Sequence, residues 1–508
     1  VISHFWKRQE KEIVFEGEKL NAFDSIERHA SEKSALIFDD GKKAKKYSYS
    51  EMIVEVNKFS NYLDSVKLKK KSRVFFFLPK CPELYFGILG TIKQGSIACP
   101  LFEAFEGGGL ELRLDRGRAD ILFTNKELYR RITPAMKKKL SFIKKIVVVD
   151  SNDFKKKISS QKDSFNSVKM NPGDPMIMIF TSSTAGTPVA GVEIAHKALT
   201  QQYYTGKLVL GLNDSSNYWC TAHPAWITGI VYGIISPLSI GSTVYIYQPH
   251  FDSKKWIKFL IKNKITNLYT APTVLRLWKK EIKRKDLKGL GVLAAVGEAL
   301  TEPTYNYYHK LGVDITNTYW QTETGAIVIA SYKKKGPGIL GQAVPGVIAN
   351  IKKSEIILRP NFPALMQGIY KHKQMYKSYF ENGWFKTHDL AIKKGNTFYF
   401  LQRKDDVIKT SGERVSPIEI ESAILGYSGI SEAAVIGVPD EMKGAVLKAF
   451  VVLDKGVNGT EFLKGRISKF VKKNYAGHAY PKIIDFVDSL PKTNSGKILR
   501  SELLKRES

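Results

Sequence analysis

Val74-Phe75-Phe76-Phe77-Leu78-Pro79 is a short, fully apolar run, the pattern of a strand buried on both faces. Such strands belong to parallel sheets covered by helices. The flanking sequence keeps that rhythm. Tyr47-Ser48-Tyr49-Ser50-Glu51 has the form of a strand running into a helix cap, followed by an amphipathic run over 52–63. Residues 83–93 are helical in pattern, 96–100 form the next strand, and segments 121–125 and 143–150 continue the alternation. Strand, helix, strand in this order implies an α/β fold with doubly wound parallel sheets. At 508 residues there is room for two or three domains and a substantial core.

The pattern changes near the C-terminal fifth. Thr387-His388-Asp389 leads to a hairpin signal at Lys394-Gly395-Asn396 and an aromatic strand over 398–401. Arg403-Lys404-Asp405-Asp406 follows, too polar for a core. Beyond it lie a glycine turn, Ser411-Gly412, and a new helix with Ser416 as N-cap and Pro417 at its first position. A polar step between two well-patterned elements is where two domains are expected to pivot. The chain therefore divides into a large N-terminal domain, 1–403, and a smaller, mobile α+β domain, 404–508. The latter reads as helix 418–425, strands 432–438 and 449–453, and helix 460–473.

A net charge of +30 raises polyanions as partners. The lysines, however, lie in scattered runs at 69–71, 137–139 and 155–157, with no interleaved aromatics and no nucleic-acid-reading module. They read as solvated faces, so nucleic acid is not an expected partner. Cys81, Cys99 and Cys220 have neither metal-like nor disulfide-framework spacing, which fits a reducing, cytoplasmic setting. Residues 1–20 lack a sustained apolar core, so no signal peptide is expected. Segment 215–251 carries no Asp, Glu, Lys or Arg, but prolines and glycines break it. It reads as buried strand and helix rather than a membrane span.

Several motifs carry chemistry. An apolar strand over 176–180 runs into Thr181-Ser182-Ser183-Thr184-Ala185-Gly186-Thr187-Pro188, a hydroxyl- and glycine-rich loop of the kind that wraps phosphate oxygens. Ala295-Val296-Gly297-Glu298-Ala299 is a strand end, where ligands sit in parallel sheets. In Asn317-Thr318-Tyr319-Trp320-Gln321-Thr322-Glu323-Thr324-Gly325, the residues alone read Trp320 as a core aromatic and Glu323 as a helix-start carboxylate near an N-terminal dipole. His223, beside Pro224, reads as a structural turn residue.

Taken in order, these motifs resemble the adenylate-forming, AMP-binding family of acyl-CoA synthetases, luciferases and peptide-synthetase adenylation domains. They are most similar to its acetyl-CoA synthetases. Trp320 followed by Gln321-Thr322-Glu323-Thr324-Gly325, and the terminal Pro491-Lys492-Thr493-Asn494-Ser495-Gly496-Lys497, carry the likeness best. The resemblance implies ATP-dependent ligation of acetate, or another short-chain carboxylate, to CoA through an acyl-adenylate, releasing pyrophosphate and AMP. The implied co-reactants are ATP, Mg²⁺ and CoA.

The resemblance also implies roles for residues. Thr181, Ser182, Ser183, Thr184, Gly186 and Thr187 would hold phosphates, and Gly297, Glu298 and Ala299 would pack on adenine. Asn317, Thr318, Tyr319, Gln321 and Thr322 would complete the nucleotide site, with Asp389 on the ribose and Arg403 and Arg414 nearby. Ile227, Thr228, Val296 and Trp320 would line the acyl pocket. Ser411 and Gly412 would meet CoA, Asp405 would be the hinge, and Glu323 the metal ligand. Lys497, Thr322 and Glu323 would be catalytic.

The sequence departs from the family pattern at identifiable places. His388 and Gln402 stand for glycines, His223 and Ala225 for an aspartate and a glycine, and Ser183 and Ala185 for a glycine and a threonine. The lysine expected after Pro188 is replaced by Val189-Ala190, one residue longer. Those losses raise a catalytically impaired nucleotide-binding homologue as the alternative. A propionate or other short-chain ligase is the alternative among enzymes, and a polyanion-binding protein a distant third.

Overall fold

The computed structural model describes residues 4–13, 19–105, 107–181, 191–403, 408–410, 413–415, 417–440, 444–474, 480–492 and 498–507. The phenylalanine run forms strand Arg73–Phe77, and its alternation explains its composition. Val74 and Phe76 point into one hydrophobic cluster while Phe75 and Phe77 point into another, so no face is left for a polar residue. Beside it, in parallel, run Ile97–Leu101, Pro175–Phe180, Ile121–Thr124 and Lys145–Val148. Strands Gly191–Ala195 and Gly368–Ile369 extend this sheet antiparallel. Ser48 opens helix Tyr49–Ser65 with a reciprocal capping box: its hydroxyl accepts from the Glu51 amide, and Glu51 accepts from the Ser48 amide.

The second sheet is parallel across Ser34–Asp39, Thr243–Tyr247, Asn217–Cys220, Asn267–Thr270, Val292–Ala295 and Ile315–Tyr319. Past Ile315–Tyr319 it becomes antiparallel through Ile329–Ala330, Ile339–Ala343, Thr397–Arg403, Trp384–Lys394, Glu355–Leu358 and Ala349–Lys352. The hairpin read at Lys394-Gly395-Asn396 joins two strands of this antiparallel half, which extends the parallel sheet of the large domain. Parallel neighbours need a crossover of a dozen or more residues, and connections such as Lys353-Ser354 or Gly395-Asn396 can only make hairpins. Among the described residues no helix is long and apolar enough to cross a membrane. Segment 215–251 instead forms two parallel strands around Ile227–Ile230, Val231–Ile235 and Ser236–Ile240, the middle turn being π-helical.

The smaller C-terminal domain has a core of its own. Ile420 and Ile424 of helix Pro417–Leu425 pack with Ile467 and Val471 of helix Glu461–Asn474 on the antiparallel strands Ile430–Asp440 and Gly444–Leu453. Arg500 anchors the last helix, Arg500–Lys505, through two 2.7 Å hydrogen bonds to the buried Glu421 carboxylate. Burial raises the Glu421 pKa, and Arg500 opposes that shift. A 2.7 Å ion pair between Lys280 and Asp454 links this domain to the large one.

Candidate active site

Four neighbouring parallel strands, Asn217–Cys220, Asn267–Thr270, Val292–Ala295 and Ile315–Tyr319, end along one edge, the last two in the motifs at 295–299 and 317–325. Carboxyl ends of parallel strands are where α/β sheets collect ligands, and here one edge delivers residues 221–229, 271–273, 296–299 and 320–323 side by side.

Tyr319, Gln321 and Thr387 converge on Asp389. The Tyr319 hydroxyl donates to its Oδ2 at 2.8 Å, and Gln321 Nε2 reaches the same oxygen at 2.5 Å and the Thr387 carbonyl at 2.7 Å. Asp389 gets there through a bulge in strand Trp384–Lys394. Opposite it, Glu355 pairs with Leu390 and Ile357 with Lys386, so Thr387-His388-Asp389 is looped out of register. His388 takes the left-handed turn, with φ +59. Both carboxylate oxygens of Glu298 lie within hydrogen-bond distance of the Thr273 hydroxyl, at 2.8 and 2.7 Å, and share its one proton, with Arg276 3.6 Å away. Gly297 has φ +92, a conformation that favours glycine. Asn317 is used internally: its side-chain amide donates to the Ile339 carbonyl at 3.1 Å, and its backbone N–H donates to Ser331 Oγ at 2.7 Å.

Trp320 is fixed by partners that the motif did not reveal. Its indole N–H donates to the Tyr269 hydroxyl at 3.0 Å, and its ring meets Tyr232 edge-on at 4.9 Å. The Tyr269 hydroxyl also bonds Thr318 Oγ1 at 2.7 Å, and Thr318 donates to the Ala295 carbonyl at 2.8 Å. Burial pushes both phenols well above their usual pKa, which keeps them protonated. Ile227 and Val296 join Trp320 and Tyr232 in one hydrophobic cluster. Thr228 follows on the same helical turn, half-buried. A β-carbon on Gly229 would lie 2.1 Å from the His223 carbonyl oxygen, so the close approach of that turn requires glycine.

His223 holds its own loop. Its Nδ1 accepts from the Ala225 amide at 3.0 Å, which makes Nε2 the donor to the Leu78 carbonyl at 3.2 Å. Burial drives its pKa down to about 3. Around it the carboxyl ends of the two sheets bring Lys80 and Glu103 together. Lys80 donates to the Thr221 carbonyl at 2.8 Å, with burial lowering its pKa to about 8, and burial raises that of Glu103. Glu103 stands in Pro100-Leu101-Phe102-Glu103-Ala104-Phe105, a run that resembles the family pattern, whereas the only sequence signal of Lys80 is a charge shortly after a buried strand.

Glu323 is half-buried, and its Oε1 accepts from the Tyr379 hydroxyl at 3.1 Å. Among the described residues no group of three or more His, Cys, Asp or Glu surrounds it. One carboxylate is a donor set that fits Mg²⁺ arriving with a nucleotide, because Mg²⁺ keeps waters and takes phosphate oxygens for the rest. Thr322 lies beside it, half-buried, its carbonyl accepting from the Gly325 amide at 3.2 Å. Thr181 closes strand Pro175–Phe180 at the start of the phosphate loop. Ser182, Ser183, Thr184, Gly186, Thr187, Asp405, Ser411, Gly412 and Lys497 lie outside the described residues. Arg403 and Arg414 are described in backbone only, Arg403 opposite Asp389 and Arg414 opposite Lys409. Lys492 and Ile498 pair in an antiparallel bridge, and the Leu499 amide donates to the Pro491 carbonyl at 2.8 Å.

The family model described as AMP-binding enzyme matches residues 23–358, and that for the AMP-binding enzyme C-terminal domain matches 419–497. An acetyl-coenzyme A synthetase of Bacillus subtilis is 38% identical, over 96% of this chain and 90% of its own length. One from Methanothrix thermoacetophila is 32% identical, over 96% and 83%. Among solved structures, an anthranilate CoA ligase in complex with anthranoyl-AMP superposes with a TM-score of 0.90 at 23% identity, covering 97% of this chain and 98% of that one.

Proposed function

The chain belongs to the AMP-binding enzyme family, and from that premise we propose that it ligates acetate to CoA in two steps. In the first, an acetate oxygen attacks the α-phosphorus of ATP in line. The new O–P bond gives acetyl-adenylate, and pyrophosphate leaves. In the second, the CoA thiolate attacks the acetyl carbonyl and AMP leaves. The observation that carries this reading is the convergence of Tyr319, Gln321 and Asp389 at the carboxyl edge beside Trp320.

Asp389, held from two sides, accepts from the ribose hydroxyls and sets the nucleotide's register. Trp320, braced by Tyr269 and Tyr232, closes the pocket behind a short acyl group. Thr322 donates to the α-phosphate, and Lys497 supplies positive charge to the transferring group. Mg²⁺, when bound at Glu323, offsets charge on the phosphate oxygens. The buried phenols and the loop clamped by His223 exclude water from the adenylate. Residues 404–508 turn about Asp405 between the two steps, withdrawing Lys497 and bringing Ser411-Gly412 to CoA. Reaction in the cytoplasm is part of the proposal, supported by three unpaired cysteines.

The test is pyrophosphate release with a panel of C2–C6 acids, followed by thioester formation on adding CoA. Acid-dependent release that is greatest with acetate is the expected result. Release with no acid dependence would overturn it. Val189-Ala190 in place of the phosphate-loop lysine favours a second reading, a nucleotide-binding homologue with impaired adenylation.

A further inference from the structure

His388 occupies the left-handed region, φ +59, at the centre of the bulge that presents Asp389. A residue with a β-carbon is strained there, and such strain persists only where the surroundings enforce it. The surroundings are specific. The His388 amide donates to Glu355 Oε1 at 2.9 Å, and its Nδ1 lies 3.3 Å from the same oxygen. Glu355 is buried, so the imidazole is tied to a carboxylate that itself cannot move freely. The imidazole then meets the ring of Tyr379 at 5.3 Å and 62°. Phe385, three residues earlier on the same strand, stacks on Tyr379 at 5.6 Å and 9°. The Tyr379 hydroxyl ends this chain of contacts on Glu323 Oε1.

The geometry points to His388 as a positioning residue for Glu323, acting through Tyr379. The inference rests on the reading of Glu323 as the carboxylate that receives a nucleotide-borne Mg²⁺. Two rings from one strand hold the phenol, and the phenol occupies one carboxylate oxygen. That fixes the plane of the carboxylate and leaves Oε2 for the cation. Losing a partner that orients a metal ligand typically costs about 10–100-fold in metal affinity. The same bulge therefore places Asp389 for the ribose and, through His388, sets Glu323 for the metal on the phosphates. A glycine at this position would deliver the first function without the second.

The experiment is calorimetric affinity for ATP with and without Mg²⁺, on wild type, His388→Gly, Tyr379→Phe and the double variant. The gain in affinity on adding Mg²⁺ is expected to fall about tenfold in either single variant. It should fall no further in the double variant, because the two residues act in series. Mg²⁺-free ATP binding, and thioester formation from supplied acetyl-adenylate, should stay at wild-type levels. A general loss of packing would lower all of these together. If His388→Gly fails to fold because Glu355 has lost its imidazole, Tyr379→Phe, which removes a single hydroxyl, carries the same test. Single variants with the wild-type Mg²⁺ gain would overturn the inference. A wild type that releases no pyrophosphate with any acid would instead overturn the proposed function, a separate and separately visible result.

Discussion

The Tyr319 hydroxyl donates to Asp389 Oδ2 at 2.8 Å, joining the end of a parallel strand to a bulge seventy residues further along the chain. With Gln321 on the same oxygen, the carboxylate is oriented before any ribose arrives. Tyr319→Phe removes one neutral donor to a charged acceptor and should weaken AMP about tenfold, equivalent to about 1.4 kcal/mol. Asp389→Asn should cost at least as much. Calorimetry with AMP checks both, and unchanged affinity in Asp389→Asn would remove it from the ribose site.

Trp320→Gly should shift the preferred acid from acetate to longer chains. Each additional buried CH₂ then contributes about 0.8 kcal/mol. The variant also leaves the Tyr269 hydroxyl without its indole donor, so acetate turnover should fall as valerate turnover rises. Competition kinetics decide it, and a wild type preferring octanoate to acetate would refute the pocket assignment.

The proposed phosphate loop lacks the lysine of the family pattern and has a β-carbon at Ser183 where that pattern has glycine. A lost charge-assisted contact costs about 1.5–3 kcal/mol. ATP and pyrophosphate should therefore bind poorly while AMP, held at Asp389, binds well. Restoring Thr-Ser-Gly-Ser-Thr-Gly-Thr-Pro-Lys-Gly-Val with one residue deleted should raise adenylation. Equal pyrophosphate release before and after repair would show the lysine to be dispensable.

Lys497→Ala should abolish acetyl-adenylate formation and spare thioester formation from supplied acetyl-adenylate. Asp405→Pro, by locking the pivot, should do the reverse or stall the cycle between steps. Adenylate made by Lys497→Ala at the wild-type rate would show that the catalytic cation lies elsewhere.

Burial lowers the pKa of His223 to about 3 and that of His196 to about 4, from an ordinary 6.5. Between pH 6.5 and 4 the unfolded chain binds protons that the native state refuses. Stability therefore falls as pH falls through this window, by about 1.4 kcal/mol per pH unit for each histidine. His196→Gln should remove about one proton's worth of that slope in urea unfolding measured from pH 7 to 4.5. An unchanged slope would mean that His196 is not held neutral.

Residues that announce themselves locally were legible in the sequence. The phenylalanine strand, the capped helix after Ser48, the motifs at 295–299 and 317–325 and the hairpin at Lys394-Gly395-Asn396 depend on period, caps and strings of neighbours. The contacts of Tyr269, Tyr232 and Tyr379 were not legible, because each acts across long separations, as when Tyr269 receives the Trp320 indole fifty-one residues away. In a chain with twenty-four tyrosines, nothing local tells which ring meets which partner. The order of the antiparallel strands around that hairpin was not legible for a similar reason, since strand partners are chosen in three dimensions. His388 showed only as a substituted glycine, and its φ and its contacts with Glu355 and Tyr379 exist only in the folded chain.

The π-helical turn Val231–Ile235 follows directly on Ile227 and Thr228. Such a turn accommodates one residue more than an α-helix would. Removing one residue there would restore ordinary helical spacing and leave Ile227 and Thr228 facing as before, because the wide turn already absorbs the extra residue. A deletion in the α-turn Ile227–Ile230, which holds no such slack, would instead rotate what precedes it by about 100°. The outline of the proposed acyl pocket is thus written in the length of the chain as well as in its side chains: one codon lost is absorbed at Val231–Ile235 and turns a wall of the pocket a few residues away.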